Sequence, residues 1–283
     1  MKCLIDGDVL VYEVGFASQW VDKDSNELVV RDFEQVAEFL DQRIREIEGE
    51  CWSDEPSCLY LTVGETTNKV ENRWRKTHNL PTLALVENFR IAAAVTKPYK
   101  GQRKTAKPTH YANIIAYMID RYEVKVSCGM EADDLICMDQ MSAEPFTTTI
   151  CTRDKDLRMV EGWHFGWTCA NQQQYGPTKI DYVGSIALHN KKLSGTGKAF
   201  FYSQLITGDS VDNIPGLPGC GPALAFKTLS GMTTEGEMLR AVTGLYKDKL
   251  GSVWEEYMLE QGTLLWMIYE EGLTWEKHWQ SLK

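Results

Sequence analysis

Paired cysteines, clustered histidines and long apolar runs are all missing from this 283-residue chain. Eight cysteines are present, at 3, 51, 58, 128, 137, 151, 169 and 220, and no two have C-x-x-C spacing. The five histidines are scattered, and none pairs with a cysteine at ligand spacing, so no zinc site is expected. Cys3, Cys137 and Cys151 lie in apolar segments, where a thiol behaves as a small buried hydrophobe. The longest apolar runs, such as 91–95 (IAAAV), are too short to span a bilayer, so no membrane partner is expected. Met1 leads directly into KCLID with no basic region and no long apolar stretch. No signal peptide is therefore expected, and reduced thiols in a cytoplasmic protein are favoured over disulfides.

What is present reads as soluble and globular: 43% hydrophobic and 25% charged residues. The length suits one large domain or two modest ones. A net charge of −10 first argues against a nucleic-acid partner. The distribution reverses that. Between Thr66 and His110 stand ten Lys or Arg (69, 73, 75, 76, 90, 97, 100, 103, 104, 107) against Glu71 and Glu87, which is +8, leaving −18 elsewhere. A basic island in an acidic protein suits a phosphate-binding surface, although an ordinary solvated face would look the same.

Hydrophobic periodicity gives an outline of alternating strands and helices. Strands are expected at 2–5, 57–63, 124–127, 146–152 and 163–169. Helices are expected at 32–47, 111–122 and from 131 onward. The passage between Thr66 and Glu87 is polar and basic, and after about residue 185 the pattern reads helical, with a Gly/Pro-rich turn at 215–222. Alternating strands and helices argue for an α/β fold with a mainly parallel sheet flanked by helices. Ligands of such sheets sit beyond the carboxyl ends of the strands.

Nine acids fall in four short clusters near such ends. They are Asp6 and Asp8 in LIDGDVL; Glu131, Asp133 and Asp134 in MEADDL; Asp154 and Asp156 in ICTRDKDL; and Asp209 and Asp212 in LITGDSVDNIPGLPGCG. Taken singly, these are a turn, a helix start, a surface turn and a Gly/Pro-rich loop. Gathered together, the carboxylates would repel and raise each other's pKa unless a cation neutralised them. Hard divalent ions prefer such oxygen ligands. Two of them about 4 Å apart activate a water and stabilise the leaving oxygen of a phosphodiester.

In order along the chain, IDGD, KPYKGQRK (97–104), EADD, the D-x-D of DKD, and GDSVDNIPG followed by G-x-G resemble the motifs of the 5′-nuclease superfamily. That family contains flap endonucleases, the 5′-nuclease domain of bacterial DNA polymerase I and, nearest to this chain in pattern, stand-alone 5′→3′ exonucleases of tailed phages. The resemblance implies a catalytic domain over 1–185 with an arch region at about 65–120, then a helical DNA-binding region over 186–283 containing a helix–turn–helix variant. It implies that Asp6, Glu131 and Asp133 surround one metal and Asp154, Asp156, Asp209 and Asp212 a second, with Asp134 near both. Lys100 would contact the scissile phosphate, Arg103 would assist it, Tyr99 would stack on a terminal base, and Lys104 would join the DNA contacts. Gly216, Gly219 and Gly221 would grip duplex backbone. The implied cofactors are two Mg²⁺, with Mn²⁺ able to substitute, and a K⁺ at the Gly-rich turn. The implied partners are DNA with a 5′ end, nick, gap or flap, RNA–DNA hybrid, and other replication proteins, in the host cytoplasm if the chain is phage-encoded.

Two departures stand out. Where many relatives carry a further acid after the second strand, this chain reads LTVGE, with Gly64 in place and Glu65 beside it. About 20 residues, 66–87, look inserted before NFR. Two rival readings stay open. Asp6-x-Asp8 after a strand also suits a haloacid-dehalogenase-type phosphatase, although Gly208-Asp209 leads to Asp212 one residue short of that class's spacing. The chain also suits a DNA-binding homologue whose site is weakened at Gly64.

Overall fold

A computed structural model describes residues 1–102 and 106–283. The chain opens with β1 (Lys2–Asp6), α1 (Gly7–Ala17), β2 (Gln19–Val21), β3 (Leu28–Val30) and α2 (Phe33–Glu50). It continues with β4 (Cys58–Leu61), α3 (Glu65–Thr77), α4 (Phe89–Ala93), α5 (Tyr111–Arg121), β5 (Glu123–Val126) and α6 (Ala132–Ser142). Then follow β6 (Thr148–Cys151), a 3₁₀ turn (Asp156–Met159), β7 (Gly162–Gly166), β8 (Tyr175–Ile180), β9 (Ser185–His189) and β10 (Lys192–Thr196). The remainder is helical: α7 (Gly197–Thr207), α8 (Pro222–Leu229), α9 (Glu235–Leu250), α10 (Trp254–Leu265) and α11 (Trp275–Ser281).

The chain divides into two compact units. The first holds Met1–Asn88, the described part of 105–154, and Trp163–Thr178; the second holds the described part of 89–104, Lys155–Gly162 and Lys179–Lys283. A six-stranded sheet of order β5-β4-β1-β6-β7-β8 runs through the first, with parallel pairing from β5 across to β7. The mainly parallel α/β architecture expected from the sequence is therefore present. Central strands read as apolar runs because both their faces are covered, as in β4, where Cys58 to Leu61 are all buried. Val36, Leu40, Ile44 and Ile47 of α2 recur every three or four residues and pack with Leu10, Val11 and Val14 of α1 and Ile114, Ile115 and Met118 of α5.

Three expectations fail locally. Gly7 does not make a turn after β1 but is the first residue of α1. Its absent side chain is required, since a Cβ there would lie 2.7 Å from the carbonyl oxygen of Tyr60. The basic passage is not featureless: α3 spans Glu65–Thr77, and Arg75 pairs with Glu71 one turn back at 3.2 Å. The region after 185 is not helical throughout, because β9 and β10 form an antiparallel hairpin before α7 begins. Short alternating segments such as SIALH are hard to tell from helix surface by periodicity.

In the second unit α7 is buried over ten consecutive residues, Gly197 to Ile206, and α8, α9 and α10 pack around it. Phe201, Trp266 and Trp275 meet there with ring centroids 4.9 to 5.6 Å apart. Arg90 belongs to this core and not to the basic surface: it is 1% exposed and donates to the carbonyls of Leu264 at 3.2 Å and Trp266 at 2.5 Å. Glu235 anchors a polar knot, accepting from the hydroxyls of Tyr182 and Tyr202 and lying 2.8 Å from His278 Nε2. Burial pushes its carboxyl up, but the bonds from His278 and Tyr182 outweigh this and hold it below its ordinary value of 4.5. A depressed folded pKa stabilises the fold above the unfolded pKa and loses that contribution as pH falls through the folded value. Denaturant titrations should show stability falling below pH 4.5, with a shallower fall in Glu235→Gln. At pH 7 that variant should be less stable by about 2 kcal/mol, having lost a charged acceptor. Among the described residues no helix is long and apolar enough to cross a membrane.

Candidate active site

In the first unit the carboxyl ends of three parallel strands carry the acids. Asp6 ends β1 and caps α1, with Oδ1 accepting the N–H of Val9 at 3.1 Å. Its Oδ2 accepts from the Thr152 hydroxyl, one residue past β6, at 2.7 Å. The same hydroxyl accepts the N–H of Asp154 at 3.0 Å, so Thr152 links Asp6 to the start of the D-x-D. Asp8, in the first turn of α1, accepts the N–H of Thr62 just past β4 at 3.0 Å. Thr62 in turn accepts the N–H of Ala132, the first residue of α6, at 2.9 Å. Glu131 and Asp134 close a reciprocal capping box at that helix start, and Asp133 lies half-buried between them. Thr62 and Thr152 escaped the sequence analysis; the signal was a hydroxyl at each strand end, immediately before or within an acid-bearing turn.

Asp6 is 3% exposed, and among the described residues neither Asp6 nor Asp8 is ion-paired. Burial, with Asp154's charge added, pushes the Asp6 carboxyl up to about 6. Burial, with the charge of Asp6 next, pushes Asp8 up to about 7. Two adjacent carboxylates are thus held where ionisation is costly. Among the described residues the acids do not gather three oxygens mutually within 4.8 Å. They approach as a chain of neighbours linked by threonines.

The second unit holds the remaining acids, and here the chain supplies its own cation. Lys155 Nζ lies 2.7 Å from Asp209 and 2.9 Å from Asp156. Gln204 Nε2 also donates to Asp156 at 2.8 Å. Burial raises the Asp209 carboxyl, but Lys155 outweighs it and the net direction is down. Lys155 was visible in TRDKDL but received no role from the sequence. Asp212 collects two residues of the 97–104 motif: the Tyr99 hydroxyl donates to it at 3.1 Å, and Lys100 Nζ stands 3.7 Å away. The Lys100 ammonium also lies over the Tyr99 ring at 5.0 Å. Arg103 and Lys104 lie outside the described residues.

The glycines separate by role. Gly216 has φ 64°, and a Cβ there would lie 2.2 Å from the Gly208 nitrogen, so close chain packing demands glycine. Gly219 (φ 73°) and Gly221, the N-cap of α8, have nothing within 4 Å of a built Cβ. Gly64 is the N-cap of α3 in extended backbone, φ −152°, with open space around it. The neighbouring Glu65 is 81% exposed and paired with Lys69 at 3.9 Å. Asp at position 64 is therefore unstrained and gains a cap worth a few tenths of a kcal/mol over glycine. The Gly64→Asp variant should melt slightly higher and, where position 64 faces a divalent ion, should bind Mg²⁺ several-fold more tightly in a direct titration, since affinity tracks ligand charge. A well-folded variant with unchanged Mg²⁺ binding shows that position 64 faces no such ion.

No protein-family model matches the chain. It is similar to DNA polymerase I of Bacillus subtilis, 30% identical over 171 residues, covering 57% of this chain and 18% of that protein. DNA polymerase I of Rhizobium leguminosarum is 35% identical over 103 residues, covering 36% and 9%. The chain thus spans less than a fifth of the length of these relatives. Among solved structures, T5 D15 protein co-crystallised with metal ions overlaps at TM-score 0.48 and 14% identity, covering 93% of this chain and 98% of that one. Zinc-bound T5 5′-exonuclease overlaps at 0.46 and 14%, covering 94% and 100%. The polymerase matches agree with the ordered motifs, which resemble those of a family that includes a domain of bacterial DNA polymerase I.

Proposed function

We propose that this chain is a metal-dependent 5′→3′ exodeoxyribonuclease that also cuts 5′ flaps and removes RNA primers, acting in the cytoplasm on duplex with a 5′ end, nick, gap or flap. The observation that carries this reading is the neighbouring pair of buried Asp6 and half-buried Asp8, without an ion pair among the described residues, at the carboxyl end of a parallel strand and the helix start that follows it. The donors there are all oxygen, the set that hard divalent ions prefer over soft ones. Asp6, Glu131 and Asp133 would hold one Mg²⁺, and Asp154, Asp156, Asp209 and Asp212 a second, with Asp134 near both. When bound, such ions supply a water of lowered pKa and positive charge at the leaving oxygen. Lys155 pairs with Asp156 and Asp209 and lowers the pKa of the Asp209 carboxyl. Thr152 and Thr62 orient Asp6 and Asp8, and Lys100 brings an ammonium to the phosphate. In this reading residues 1–185, with the arch at about 65–120, are catalytic, and 186–283 hold duplex through Gly219 and Gly221, with a K⁺ at that turn.

The test is cleavage of 5′- and 3′-labelled duplex, nicked, flap and RNA-primed substrates with Mg²⁺, Mn²⁺ or EDTA. Metal-dependent products bearing 5′-phosphates are expected, released from the 5′ end. A covalent aspartyl-phosphate would turn the assignment to a phosphatase. Structure-selective binding with no cleavage would leave a DNA-binding homologue. Gly221→Asp tests duplex grip cleanly, because position 221 has φ −121° and open surroundings that accept a side chain. Its carboxylate repels a phosphate, so binding of nicked duplex should fall more than about tenfold and that of short single strands much less. Unchanged binding by the folded variant removes the turn from the interface.

A further inference from the structure

Three thiols with no part in the nuclease chemistry meet in the core of the first unit. Cys3 lies on β1, Cys151 on the adjacent strand β6, and Cys51 at the C-terminal end of α2. Cys3 stands opposite Thr149, so Cys151, two residues on, projects diagonally from the same sheet face. Cys51 meets that face, its sulfur 3.7 Å from that of Cys151. All three sulfurs lie within 4.8 Å of one another, and all three residues are 0% exposed. Among the described residues they form the group of three His, Cys, Asp or Glu side chains whose ligand atoms converge this closely. Local Cys spacing could not reveal it, because Cys51 and Cys151 are 100 residues apart.

We propose that Cys3, Cys51 and Cys151 form a closed three-thiolate site for a soft, thiophilic metal ion, with Cu(I) as its occupant. A donor set of sulfur alone selects soft ions, as the all-oxygen acid set selects hard ones. Zinc in a closed site takes four ligands, and three are present. The nearby serine hydroxyls are engaged elsewhere: Ser57 Oγ donates to Glu48 at 2.6 Å and Ser53 Oγ to the Met1 carbonyl at 2.8 Å. The ion would tie β1, β6 and α2 together, so its binding couples to folding. This inference stands apart from the nuclease reading.

The whole chain, stripped of metal and kept anaerobic with ascorbate, would be titrated with Cu(I) against the chelator bathocuproine. One equivalent per chain should be withheld, with a raised Tm, and X-ray absorption of the loaded parent should show a shell of three sulfurs. Cys51→Ala and Cys151→Ser should each weaken retention by more than about 100-fold, beyond the loss typical of an altered supporting partner. Cys128→Ser, at an exposed thiol, should retain copper like the parent. The absorption measurement needs no variant and holds even where a core substitution unfolds the chain. No withheld equivalent, nitrogen or oxygen in the shell, retention insensitive to Cys51→Ala, or displacement of copper by equimolar Zn²⁺ would each overturn the proposal.

Discussion

Asp154→Asn should lower cleavage by about 10³-fold or more while DNA binding stays within a few-fold of the parent, and Asp133→Asn should do the same. Electrostatic groups aimed at developing charge commonly contribute 10²–10³-fold each, and an acid that also positions an ion contributes at least that. The substitutions are nearly isosteric and should spare the fold. Asp154 is tied to Thr152 through its own N–H at 3.0 Å, a bond that Asn retains. Asp133 lies in the first turn of α6, where the capping box is made by Glu131 and Asp134 and is left intact. Losing a negative charge beside a polyanion does not weaken binding. Single-turnover rates and equilibrium binding, measured with the exposed control Glu144→Gln, separate the two effects. Near-normal turnover in either variant removes that acid from the site.

The position of Asp6 and Asp154 was legible because strands such as KCLI and TTIC announce where their carboxyl ends fall, the place where a parallel sheet binds its ligands. What supports the acids was not legible. Thr152 serves Asp6 across 146 residues, and Thr62 serves Ala132 across 70. Such bonds depend on strand order, which periodicity does not carry. Helix α1 was hidden for a different reason: DVLVYEVGFA is apolar on most sides, and its Asp-Gly start mimics a turn. Arg90 was counted with the surface basics because charge in sequence says nothing of burial, yet its guanidinium satisfies buried carbonyls at the end of α10 that the helix leaves without partners. The hairpin β9–β10 was missed because five-residue strands with one polar face lack the contrast that marks buried ones.

Lys100→Ala should reduce single-turnover cleavage by about 100-fold while costing binding only about one unit of salt slope. The structure gives Lys100 an unusual backbone, φ 52°, a left-handed conformation that costs a non-glycine residue on the order of 1 kcal/mol. That conformation is held from both sides. The Lys100 N–H donates to the Asp212 carbonyl at 2.9 Å, and Gln102 and Pro98 are bonded to Asn213 at 3.1 and 2.8 Å. The ammonium stands 3.7 Å from Asp212, one of the acids proposed for metal. A residue kept in a costly conformation beside such an acid is better suited to chemistry than to general phosphate attraction, which any surface lysine supplies. Lys100→Gly separates the alternatives. Glycine adopts this φ freely, so the variant should be as stable as the parent or more so, and cleavage should still fall about 100-fold. If Lys100→Gly and Lys100→Ala lose binding and rate in equal measure, Lys100 is an ordinary backbone contact, and the left-handed turn serves only to dock 97–102 onto the loop at 209–213.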